Sequence, residues 1–204
     1  MILIVDYGMG NIRSIQHKLQ KNGIDAKVSS SPDDVLSADK LIIPGVGHFK
    51  RGMENLRELN LVEALNKKVL IEKTPVIGIC LGIQLFTNFS EEGGCEGLKW
   101  INAETRRFNL EGLKLSIPHV GWSGIKLRRP SELFANMSEE KKYYFTHSYH
   151  LVCGDKEDIL AESEYGYAFV AAIQRGNIYG TQFHPEKSHK EGMKVLLNFC
   201  RLNR

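Results

Sequence analysis

Three short apolar runs constrain this chain more than any other feature. Residues 2–5 read Ile-Leu-Ile-Val, residues 41–43 Leu-Ile-Ile and residues 76–79 Val-Ile-Gly-Ile, and each runs into a turn containing glycine. A strand with no polar face has to be covered on both sides, which is the position of a central strand in a parallel sheet. The segments between the runs read as helices. Ile12, Ile15 and Leu19 share one helical face, Asn11 stands at the cap position and Gly23 at the stop. Residues 26–29 form a further short strand, and Ser31-Pro32 supplies a cap and a first-turn proline. Residues 61–72 set Leu61, Leu65 and Val69 on one stripe, and residues 82–89 follow as another helix. Strands separated by helices predict an α/β fold with a mostly parallel central sheet and flanking helices.

Beyond about Trp100 the pattern changes. Residues 108–117, 143–152, 168–174 and 177–183 read as strands joined by short turns at Gly112, Gly166 and Gly176-Asn177. They are expected to add antiparallel strands to the same sheet. Residues 191–202 close the chain as an amphipathic helix with Met193, Leu196, Leu197 and Cys200 aligned. With no linker, repeat or low-complexity stretch, one domain over residues 1–204 is expected.

Composition narrows the function classes. A net charge of +3 without a long Lys/Arg block gives no argument for nucleic acid. No apolar run approaches a membrane span, and the apolar start is too short for a signal peptide, so a cytoplasmic protein is expected. The four cysteines are scattered without metal-type pair spacing, which argues for a reduced compartment and against zinc.

Three segments are candidates for chemistry. Gly78-Ile79-Cys80-Leu81-Gly82 lies between a strand and a helix. A nucleophile on such a turn needs small neighbours, is lifted out of the sheet, and sits at a helix N-terminus that favours thiolate. The competing account is a buried structural cysteine. Gln182-Phe183-His184-Pro185-Glu186 ends a strand. His184 and Glu186, two residues apart in extended chain, project to one side as a base and its orienting carboxylate. The competing account is a turn with an exposed carboxylate. Pro44-Gly45-Val46-Gly47 permits an unusual backbone path that could aim an amide at a developing negative charge, although a plain strand-ending turn explains it equally.

Taken together, PGVG at 44–47, GICLGIQ at 78–84, PHVGW at 118–122, HSY at 147–149 and QFHPEKS at 182–188 resemble the class I (triad) glutamine amidotransferases. The likeness runs nearly end to end and is strongest to the glutaminase subunits of imidazole glycerol phosphate synthases. It implies a flavodoxin-like glutaminase fold, a Cys80–His184–Glu186 triad, and no metal or organic cofactor. It implies that Gln84, Glu92, His147 and Ser148 hold glutamine, and that the amide of Leu81, joined by that of Val46 or Gly47, forms the oxyanion hole. His119, Gly121, Trp122 and Lys187 would meet a HisF-type (β/α)8 synthase subunit. That partner receives the ammonia through a channel and makes imidazole glycerol phosphate and an aminoimidazole carboxamide ribotide in histidine biosynthesis.

Two segments depart from the family pattern. Ser123 stands where asparagine is usual after Gly-Trp, and Ser188-His189-Lys190-Glu191-Gly192 looks like paralogous subunits that feed ammonia to surface-sugar amidation. Such a paralogue, a catalytically degenerate docking subunit and a free-standing cysteine peptidase are the alternatives. Filled triad positions argue against the second, and Gln84 with Glu92, suited to an amino-acid ligand, against the third.

Overall fold

The computed structural model describes residues 1–136 and 141–202. Its first half follows the alternation: β1 (Ile2–Val5), α1 (Ile12–Lys21), β2 (Ala26–Ser29), α2 (Pro32–Ser37), β3 (Lys40–Gly45), α3 (Phe49–Glu58), α4 (Leu61–Asn66), β4 (Val76–Cys80) and α5 (Leu81–Gln84). The second half is mostly strand. It contains β5 (Phe89–Ser90), β6 (Cys95–Glu96), β7 (Ala103–Arg107), β8 (His119–Gly124), β9 (Lys126–Leu127), β10 (Lys142–His147), β11 (Tyr149–Cys153), β12 (Ile159–Tyr165), β13 (Tyr167–Arg175) and β14 (Ile178–Thr181). Helix α6 (His189–Arg201) closes the described chain.

The main sheet has the order β2-β1-β3-β4-β14-β13-β12-β9. Strands β2 through β14 in that order pair in parallel, and the last four are joined by antiparallel pairing. Successive side chains of a strand point to opposite faces, and the apolar runs use both. Leu3, Val5, Leu41 and Ile43 pack with Val35, Met53, Leu56 and Leu65 from α2, α3 and α4. Ile4, Ile42 and Ile77 pack on the other face with Ile15 and Leu19 of α1 and Val195, Leu196 and Phe199 of α6. Each such buried side chain contributes on the order of 1.5–3 kcal/mol. The polar-free runs are explained by this double cover.

Several expected elements are relocated. Residues 82–89 hold only the single turn α5, because the next carbonyls are taken from elsewhere. The amide of Leu98 bonds Leu85 O, that of Trp100 bonds Phe86 O, and Thr87 Oγ1 bonds Gln84 O. Residues 108–117 are not a strand: the pairing falls on Ala103–Arg107, and the alternating Leu113 and Leu115 are exposed. Residues 143–152 break at Ser148 into two strands, neither in the main sheet; β10 pairs with β8, and β11 pairs with β7. The expected additions to the main sheet hold for β13 and β14, and β14 is parallel to β4 on its other side. Helix 61–72 continues past Asn66 as the wider π-turn Lys67–Ile71. Neither Asn11 nor Ser31 caps its helix through the side chain, whereas Gly23 does end α1 with φ +74°. Helix α3 was not foreseen.

Candidate active site

Register brings the distant motifs together. Gly45 pairs with Cys80 across β3 and β4, and Thr181 pairs with Ile79 across β14 and β4, so the ends of three neighbouring parallel strands meet. Cys80 is the last residue of β4 and has φ 53° and ψ −107°, left-handed backbone for a non-glycine residue. Strain of this kind costs on the order of 1–3 kcal/mol and persists only where the surroundings enforce it. The enforcing contact is close packing of the turn onto β3: a Cβ on Gly82 would stand 1.9 Å from the carbonyl oxygen of Ile43. The short α5 gives Cys80 only one turn of helix behind it, so the tight turn contributes more here than a helix dipole can.

His184 and Glu186 form a buried pair, with Nδ1 2.8 Å from Oε1 and each side chain only 1% exposed. Three bonds tie the segment to Tyr144 and Ser188. The amide of His184 donates to Tyr144 O at 2.9 Å, and Ser188 Oγ donates to His184 O at 2.6 Å. The same hydroxyl accepts the amide of Tyr144 at 2.9 Å. Ser188 thus clamps the His-Pro-Glu unit to β10, a role the sequence reading did not assign it. Lys18 of α1 donates to the backbone carbonyl of Glu186. Burial alone would push the His184 imidazole down, but the Cys80 thiolate and then the Glu186 carboxylate outweigh it and raise its pKa to about 10. The pairing thus favours the protonated ring, with its proton beside the Cys80 sulfur. Its Nε2 is buried and has no conventional hydrogen-bond partner.

Above Cys80 lies a cavity of about 190 Å³ lined by residues that include Val46, Gly47, Leu81, Gln84, Glu92, His147 and Ser148. That is below the range of drug-sized pockets and suits a ligand of amino-acid size. Every residue expected to hold glutamine or an oxyanion is on its wall. Gln84 donates from Nε2 to Tyr149 O at 3.0 Å and to Gln182 Oε1 at 3.2 Å, which leaves Oε1 as the atom it can offer a ligand. Glu92 accepts the amide of Phe49, the first residue of α3, at 2.7 Å through one oxygen. The carboxylate thereby serves the start of α3 and keeps a second oxygen for a cation such as an α-ammonium. Val46 is exposed and Gly47 has φ +124°, so the loop after β3 adopts a path open to glycine.

The expected docking residues separate into two groups. Trp122 is exposed and stacks on His189 at 4.7 Å between ring centroids, and Lys187 lies 5.7 Å from the Tyr144 ring centroid. Gly121 is half-buried on the same strand. His119 is instead turned inward and 2% exposed. Alternation along β8 puts it on the inner face, where its Nδ1 meets His147 Nε2 at 3.2 Å and its Nε2 meets Ser123 Oγ at 3.1 Å.

The chain belongs to the class-I glutamine amidotransferase family: the family model described as "Glutamine amidotransferase class-I" matches residues 3–202. Its relatives include the imidazole glycerol phosphate synthase subunit HisH 2 of Methanococcus maripaludis, 51% identical over 98% of this chain and 99% of that one. The subunit HisH 1 of Campylobacter jejuni subsp. jejuni serotype O:23/36 is 44% identical over 99% of this chain and 100% of its own length. The subunit HisH of Moorella thermoacetica is 42% identical over 100% of this chain and 95% of its own. The fold matches that of PurLQS from Thermotoga maritima, with a TM-score of 0.70 at 18% identity over 98% of this chain and 96% of that one. It also matches the glutaminase domain of Trypanosoma brucei CTPS with bound acivicin, at TM-score 0.67 and 16% identity over 100% and 94% of the two chains. Among the described residues no helix is long and apolar enough to cross a membrane.

Proposed function

We propose that this chain is the HisH-type glutaminase subunit of an imidazole glycerol phosphate synthase, acting in histidine biosynthesis through a Cys80–His184–Glu186 triad. The observation that carries the chemistry is the buried His184–Glu186 pair beside a strained cysteine at the floor of an amino-acid-sized cavity. Full-length identity of 51% and 44% to subunits named HisH supports the pathway. It favours that reading over a sugar-amidating paralogue or an inert docking subunit.

Glutamine enters with its α-ammonium against Glu92, its side-chain amide near Gln84 Oε1, and His147 and Ser148 along its backbone. The Cys80 thiolate attacks the amide carbon, and the amides of Leu81 and of Val46 or Gly47 stabilise the oxyanion. Imidazolium His184 gives its proton to the amide nitrogen as the C–N bond breaks, releasing ammonia, then as a neutral base draws a proton from water, which hydrolyses the glutamyl thioester and frees the Cys80 thiolate. Glu186 keeps the imidazole oriented and stabilises its charged form. The ammonia passes to a HisF-type (β/α)8 subunit docked on the face of Gly121, Trp122 and Lys187. His119 serves that face from behind, through Ser123. Residues 1–204 act as a single domain in the cytoplasm.

Glutamate release from glutamine by the assembled pair tests this reading. Cys80→Ala is expected to abolish release while the pair still co-purifies, and full activity in that variant would sink the triad. Isolation of the bound synthase from the native cell tests the partner, and a sugar-amidating enzyme in its place would refute the histidine pathway.

A further inference from the structure

Gln182 has no role in the scheme above, yet its side chain is fully buried against the nucleophile. Its Nε2 lies 3.7 Å from Cys80 Sγ, and its Oε1 accepts from Gln84. The direction of this amide is fixed by a carbonyl further back. Tyr149 O can only accept, so Gln84 turns its NH2 toward it and with the second hydrogen meets Gln182 Oε1. Gln182 is left with its own NH2 toward the sulfur. The same carbonyl takes the Nδ1–H of His147 at 2.7 Å, which fixes that ring's tautomer. His147 Nε2 then accepts the Nδ1–H of His119, and His119 Nε2 accepts the Ser123 hydroxyl. From Ser123, half-buried beside Trp122, to Cys80 every proton in the series has one place.

We propose that Gln182 is a positioning residue that stabilises the thiolate of Cys80, held in its donating orientation by Gln84 and, behind it, by the accept-only carbonyl of Tyr149. The titratable groups facing the sulfur are the His184 imidazole, which favours thiolate when charged, and the buried Tyr7 hydroxyl; beside them the sulfur has two fixed-polarity contacts of opposite effect. Thr146 O, 3.9 Å away, can only accept and so favours the protonated thiol. The Gln182 amide can only donate to sulfur and so favours the thiolate. A flipped Gln182 would set Oε1 against a negative sulfur, and Gln84 keeps that orientation from forming. The inference rests on the reading of Cys80 as nucleophile and adds the group that tunes it.

The test is the rate of Cys80 alkylation by iodoacetamide as a function of pH, followed on the Cys80 peptide by mass spectrometry in the full chain. Gln182→Met keeps the length of the side chain and removes the donor; Gln182→Glu keeps the acceptor for Gln84 and adds a like charge. The alkylation midpoint is expected to rise by about half to one pH unit in the first and by about one unit or more in the second. Glutaminase kcat is expected to fall more than KM changes. Midpoints equal to that of the unmutated chain in a variant whose circular dichroism is unchanged would overturn the proposal. If neither variant folds, the unmutated chain decides: the Gln182 side-chain amide resonance is expected to move with the alkylation midpoint, and a resonance that stays fixed through it would overturn the proposal. Glutamine turnover by Cys80→Ala would instead remove the nucleophile assignment, a separate result.

Discussion

His119 Nδ1 and His147 Nε2 lie 3.2 Å apart inside an aromatic cluster, with Phe145 stacked on His119 and Phe108 5.2 Å from His147. Only one proton fits between them. Burial, opposed by the Tyr149 carbonyl and aided by His119, pushes the His147 pKa down to about 3, and burial pushes His119 down to about 4.

A stability loss in mild acid follows. Both folded-state values lie below the unfolded value of about 6.5, so between about pH 6.5 and 4 the unfolded chain binds protons that the folded chain refuses. The stabilisation is complete above about pH 6.5 and falls by up to about 1.4 kcal/mol per pH unit for each histidine as pH drops. Urea midpoints are expected to decline from pH 7.5 to pH 5, with a shallower decline when both are changed to Gln. A flat profile in the unmutated chain would contradict this.

Cys80→Gly is expected to be more stable than Cys80→Ala, and both end activity. Both lose the buried sulfur, but glycine also removes the left-handed strain of about 1–3 kcal/mol and gives back about 0.5–1 kcal/mol in unfolded-state entropy, a net advantage of about 1 kcal/mol over alanine. Cys80→Ala keeps the strain and gains nothing from this source. Thermal denaturation of the two variants side by side checks it, and equal midpoints would refute the strain.

Gly82→Ala is expected to cost about 3 kcal/mol or more, since the new methyl would collide with the Ile43 carbonyl, a backbone atom that cannot swing aside. Gly124→Ala meets nothing within 4 Å and should stay within about 0.5 kcal/mol of the unmutated chain. Urea unfolding separates the two, and comparable losses would be inconsistent with the packing described.

Glu186→Gln should lower kcat by about 10²–10⁴-fold, because the amide can neither fix the imidazole tautomer as firmly nor balance its charge. The His184 pKa should fall from about 10, though only in part, because the Cys80 thiolate raises it more than Glu186 does. Nitrogen-15 spectra of the imidazole read the shift, and an unchanged titration would refute the pairing.

The doubly covered strands were legible because burial on both faces leaves no polar residue in them, and α6 because one face stays apolar over its length. Helix α3 was equally available in the spacing of Phe49, Met53 and Leu56, but its start is marked by Glu92, from 43 residues further along the chain, and no local cap announces it. Residues 108–117 misled because their alternation ends on exposed leucines. In the site, the tight turn at Cys80 and the pairing of His184 with Glu186 were readable from local spacing. The partners Thr146 and Gln182 come from 66 and 102 residues away, and only strand register brings them to the sulfur. His119 looked like a surface residue because its motif neighbours are; the alternation of β8 turns it inward.

Strand β14 enters the sheet between β4 and β13, two strands that precede it in the chain. A ribosome therefore delivers the middle of the sheet last. Until residues 178–186 have emerged, β4 has an open edge and neither the His184–Glu186 pair nor Gln182 stands beside Cys80. Such late, long-range pairing is slow to form and cooperative once made. An unfinished or truncated polypeptide thus carries Cys80 without the groups that surround it in the folded chain.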